Sequence, residues 1–91
     1  MEYAVGKPDR IIVARLFEGE DLYESLEGLA KKENIKSAVV LITGGFRHAN
    51  VVVGPKQEKP KIEGDFVEFT GPGEALGTGT IFCDGDEPKL H

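Results

Sequence analysis

Ninety-one residues leave room for one domain, spanning 1–91. Sixteen Asp and Glu against eleven Lys and Arg give a net charge of −5. Non-specific binding to nucleic acid rests on phosphate neutralisation by Lys and Arg, so this balance weighs against DNA contact.

Forty per cent hydrophobic residues can build a core. A chain this short still buries only roughly 60–65% of its unfolded surface, and such domains often recover stability by oligomerising. Cys83 is the single cysteine, so no disulfide can form within the chain, which suits a reducing cytoplasm. Met1-Glu2-Tyr3-Ala4 is not a basic stretch followed by an apolar core, and the longest apolar run, Ala38 to Ile42, is strand-sized. The expectation is a soluble cytoplasmic protein with no membrane partner.

Arg10 to Phe17 is rich in branched apolar residues and predicts a largely buried first strand, opened by the turn signal Pro8-Asp9 and closed by Glu18-Gly19-Glu20. Asp21 is placed as a helix N-cap, with Glu24 three residues on. Leu22, Leu26 and Leu29, widened by Ala30, predict an amphipathic helix from about Leu22 to Glu33. Acidic residues load its first turn and Lys31 and Lys32 its last, which complements the helix dipole. Gly28 is a poor helix former, suggesting close approach of the helix to a sheet, and Asn34 marks the stop.

Ser37 to Thr43 is continuously apolar and predicts a central strand. Gly44-Gly45 predicts a bend or bulge, and Phe46 to Val53 a further strand ended by Gly54-Pro55. Lys56 to Lys61 predicts a charged loop, and Asp65 to Thr70 another strand. Gly71-Pro72-Gly73 predicts a tight turn before a last full strand, Ala75 to Phe82. Asp84-Gly85-Asp86 is a hairpin signal, with Pro88 to His91 opening one more strand. This order favours an α+β fold: a mixed, mostly antiparallel sheet with one main helix on a face.

Specific residues in this order resemble a known family. Arg10 to Leu16, followed by Gly19-Glu20-Asp21-Leu22-Tyr23-Glu24-Ser25-Leu26, is similar to the opening strand and helix of PPC domains, the domains conserved in plants and prokaryotes. Gly44-Gly45-Phe46-Arg47-His48-Ala49, Gly64 to Phe69, and the segments from Gly77 to His91 resemble later pieces of the same family, in order. The resemblance implies a homotrimer. It also brings two other associations: DNA binding, carried in plant members by basic AT-hooks, and in some members a metal held by histidines. No AT-hook is present here. Family members usually continue into a His-x-His strand, whose first histidine corresponds to His91, so the sheet is expected to be short at its C-terminal end and to expose an edge.

The candidate metal ligands are the two histidines, His48 and His91. Catalytic zinc usually takes three protein ligands, so a zinc-like ion would need ligands from several copies or from Asp and Glu. The alternatives are an ordinary strand residue and a frayed terminus. Arg47 follows the Gly-Gly bend; it is a candidate ligand anchor between subunits, or one half of an ion pair. The glycines around Gly71-Pro72-Gly73 and Gly77-Thr78-Gly79 lack the phosphate-loop spacing and a following helix, so turns and bulges are expected there. Cys83 lies beside Asp84 and Asp86, which would raise a thiol pKa, so a structural thiol is expected. Glu18, Glu20, Asp21, Glu24 and Glu27 could pair for acid–base work, but fit the solvated start of a helix. The leading expectation is a non-catalytic oligomerisation module. The alternatives are a DNA-binding protein and a metal-dependent protein with histidines at a subunit interface.

Overall fold

The helix forms where the sequence places its signals. In a computed structural model, whose described residues are 1–55 and 64–91, helix α1 spans Leu22–Lys32. The Asp21 carboxylate accepts from the Glu24 backbone N–H at 2.8 Å, satisfying one of the donors that a helix start leaves open. At the other end Asn34 has φ 56°, the left-handed conformation that stops a helix.

Three strands follow, β1 (Ser37–Pro55), β2 (Gly64–Asp84) and β3 (Glu87–Leu90), paired antiparallel in the order β1-β2-β3. Gly85, at φ 62°, makes the turn between β2 and β3. The charged loop expected at Lys56 to Lys61 lies outside the described residues.

The glycine breaks do not divide the strands as expected. Gly44, Gly45 and Phe46 lie opposite Ala75, Glu74 and Gly73, so both interruptions fall at one level of the ladder. The Gly71-Pro72-Gly73 turn is therefore not a turn. Its residues stay in β2, and the register shifts between Phe46 and His48 as in a bulge. Gly71 is required there, because a Cβ would stand 2.5 Å from the Arg47 carbonyl oxygen and 2.6 Å from that of Phe46. The run Ser37 to Thr43, expected as a central strand, lies at the sheet edge, because among the described strands β1 pairs only with β2.

The segment Arg10 to Phe17 also departs from expectation. It has no regular structure, and instead of being buried it leaves Ile11 90% and Val13 93% exposed. Propensity needs a neighbouring strand to act on, and among the described residues this segment has no backbone ladder with any strand. Its ends are held by side chains. Arg10 donates to the Glu33 carbonyl at 2.6 Å and pairs with the Glu33 carboxylate at 3.3 Å, while Glu18 pairs with Arg47 on β1. The segment therefore runs beside the first half of β1, in the same direction.

The core is small. Ala30 of α1, Ile81 of β2 and Leu90 of β3 are buried, with Leu22, Leu26, Ile35, Ala38 and Val40 packed around them. Side chains alternate across a strand and cross-strand partners share a face. Ala38, Val40 and Ile81 thus lie on the helix-covered face, and Leu90 joins them opposite Ile81. Gly28 does not mark a close approach, since a Cβ there would meet nothing within 4 Å. It sits opposite the Leu22–Leu26–Ala30 stripe. Among the described residues no helix is long and apolar enough to cross a membrane.

Candidate functional site

The sequence-level candidates separate in space. The His48 ring Nε2 stands 2.9 Å from Glu68 Oε1 on the neighbouring strand, both side chains largely exposed. His91 continues β3 by exchanging two backbone hydrogen bonds with Thr80, each 2.8 Å. His48 lies opposite Thr70, ten positions along β2 from Thr80, so one chain does not bring its two histidines together. Among the described residues no three His, Cys, Asp or Glu side chains group as metal ligands.

Arg47 is exposed and engaged with Glu18. The acidic cluster is likewise occupied by separate tasks: Glu18 holds Arg47, Asp21 caps α1, and Glu27 reaches β3. The Cys83 thiol lies half-buried, 4.0 Å from the Ile35 carbonyl oxygen. Among the described basic side chains, Arg10, Lys31 and Arg47 are each paired with a carboxylate. Lys31 and Glu87 join the end of α1 to β3 at 2.8 Å. The hydrogen bond, and then the opposite charge, hold the Glu87 carboxyl below its usual value and the Lys31 ammonium above its own.

Two features of the sheet stand out instead. The first is a face. Opposite the helix-covered side, Val39 and Leu41 of β1 and Leu76 and Phe82 of β2 point the same way, interleaved with Thr78 and Thr80. Val39 is 77%, Leu41 81% and Leu76 87% exposed. Large apolar side chains grouped on one uncovered face mark an interaction surface, whereas scattered ones do not. The sequence carried this signal: Ser37 to Thr43 is apolar at alternate positions of both parities, as in a strand covered on both faces.

The second is a pair of unlike edges. Thr80 exchanges both backbone bonds with His91, so the N–H and C=O of Thr80 point toward β3 and those of Ile81 toward β1. By alternation, Val39, Leu41 and Thr43 direct their backbone groups off the outer edge of β1. On the outer edge of β3 the corresponding residues are Pro88 and Leu90. Pro88 has no N–H, and the Leu90 N–H donates to Glu27 Oε2 at 2.8 Å. Among the described residues the β3 edge is closed to a further strand and the β1 edge is open.

Fold and surface together define an α+β domain with one helix on an antiparallel sheet, an uncovered apolar face and one open edge. The chain belongs to the Plants and Prokaryotes Conserved (PCC) domain family, whose sequence model matches residues 3–91. Neither the curated proteins nor the solved structures yield a match to the chain.

Proposed function

We propose that this domain is a non-catalytic self-assembly module that works as a homotrimer through its uncovered sheet face. The observation that carries the reading is surface area. The chain exposes 8223 Å². A compact monomer of 9.9 kDa exposes about 5,200 Å². The excess, about 3,000 Å², is several times the roughly 800 Å² that one partner gives to a standard interface. An excess of that size leaves room for the interfaces of a homotrimer. The apolar face of Val39, Leu41, Leu76 and Phe82 supplies the burial that holds such an assembly together.

The test is the mass in solution, by light scattering on a sizing column. A species near three times 9.9 kDa supports the trimer. A monomer at micromolar concentration overturns it.

A further inference from the structure

We infer that the open edge of β1 is closed by the Arg10–Phe17 segment of a neighbouring copy, passed from chain to chain around the assembly. The inference rests on the self-assembly reading and names the strand that is exchanged.

An edge strand with unpaired N–H and C=O groups is a template for another strand. Here the outward backbone groups of Val39, Leu41 and Thr43 have no backbone partner among the described residues. β1 and the chain's own Arg10–Phe17 segment line one slot, partly open to solvent. The slot has a volume of about 2430 Å³. Small-molecule sites run to roughly 300–1,000 Å³, so a polypeptide suits the space better than a metabolite.

The chain carries a strand of suitable character. Arg10–Phe17 is eight residues of mostly β-branched and apolar sequence, with no ladder among the described residues. Every copy thus presents one open edge and one unpaired strand. The other edge, at β3, is shut by Pro88 and by the Glu27–Leu90 bond.

Exchange between copies fits better than closure within one chain for two reasons. Within the chain the segment runs in the direction of β1, so collapsing the slot would make a parallel pair, the less stable kind per residue. A neighbour can present the same segment antiparallel, as in every pairing among the described strands. The segment is also held loosely. Its tethers, Arg10–Glu33 and Glu18–Arg47, are exposed ion pairs of the kind that contribute little. Gly19, at φ 91°, lies just beyond it in a turn that can serve as the hinge. Passing an element to the next copy is a head-to-tail contact, and such contacts generate rings when the rotation closes.

The test is photo-cross-linking between isotopically distinct copies. Val13→Cys, in a Cys83→Ser background, is labelled with a benzophenone maleimide, mixed with heavy-isotope chains, allowed to assemble, and irradiated. Mixed light–heavy peptide pairs joining residue 13 to the Ser37–Gly45 stretch are expected. Cross-links confined to the light chain, or mixed pairs landing elsewhere, overturn the inference. A reciprocal probe at Thr43→Cys, at the end of the apolar face opposite Leu76, should reach residues 10–17 of the heavy chain, and covers the case in which the first label blocks assembly. An oligomer without these cross-links defeats strand exchange and leaves self-assembly standing, whereas a monomer defeats both.

Discussion

Gly71 and Gly77 both lie in β2, yet they should answer opposite ways to the same added methyl group. A Cβ at Gly71 would meet the carbonyl oxygens of Arg47 and Phe46, atoms fixed by the ladder. Gly71→Ala is expected to lower stability by about 1–3 kcal/mol, the usual range for overpacking. A Cβ at Gly77 meets nothing within 4 Å. Gly77→Ala should stabilise by roughly 0.5–1 kcal/mol, through the lower entropy of the unfolded chain. Urea midpoints of the two variants check both signs. The Lys31–Glu87 pair gives a residue-level pH dependence. The Glu87 carboxyl is held below its ordinary 4.5, so its stabilising effect is present above pH 4.5 and is lost as pH falls through the lower folded value. The Lys31 ammonium is held above 10.5, so its effect is present below that pH and is lost as pH rises through the raised value. Glu87→Gln should remove the acid-side component. Urea unfolding across pH 3 to 7 should then give a flatter profile for the variant, and an unchanged slope would exclude the pair as its source.

At the scale of elements, α1 is the piece that its own sequence specifies most completely. Its start rests on Asp21, whose carboxylate holds the Glu24 N–H. Asp21→Ala should cost about 1 kcal/mol, read as a lower thermal midpoint with the sheet signal unchanged in the folded state. The strands depend more on one another. The β1–β2 ribbon continues through the stretches containing Gly44-Gly45 and Gly71-Pro72-Gly73 because these lie at one level of the ladder, and the bulge there absorbs the mismatch. Each stretch alone has the composition of a turn. Their alignment, a property of two distant segments, keeps both inside strands.

For the whole molecule the decisive quantity is surface left over after folding. Among the described residues the buried side chains are Ala30, Ile81, Pro88 and Leu90, a small core for a domain of this size, and in the proposed assembly a neighbouring copy covers the second sheet face. Replacing Leu41 and Leu76 together by Asp should therefore shift the assembly to monomer, by placing charge where apolar burial is needed. Light scattering reads the change. Circular dichroism of the variant should keep the α1 signal, since both positions lie on the face away from the helix. An oligomer of undiminished mass would move the interface off this face.

The sequence by itself determined what is local. The cap at Asp21, the Leu22–Leu26–Ala30 stripe, the stop at Asn34 and the turn at Gly85 depend on neighbours within a few residues, and all four are where composition and spacing put them. Family membership was legible too, because it rests on the order of such pieces along the chain. What only the tertiary structure decided was pairing. Arg10 to Phe17 has the composition of a buried strand, but a strand exists only against a partner, and among the described residues no strand hydrogen-bonds to its backbone. Ser37 to Thr43 reads as central because both of its faces are apolar, yet it lies at the edge. His48 and His91 look like a pair in the sequence, and the register sets them ten positions apart along β2. Side-chain patterns record how much of a strand is meant to be covered. Which neighbour covers it depends on backbone groups that are alike in every residue but proline, and that choice is made only when the strands meet.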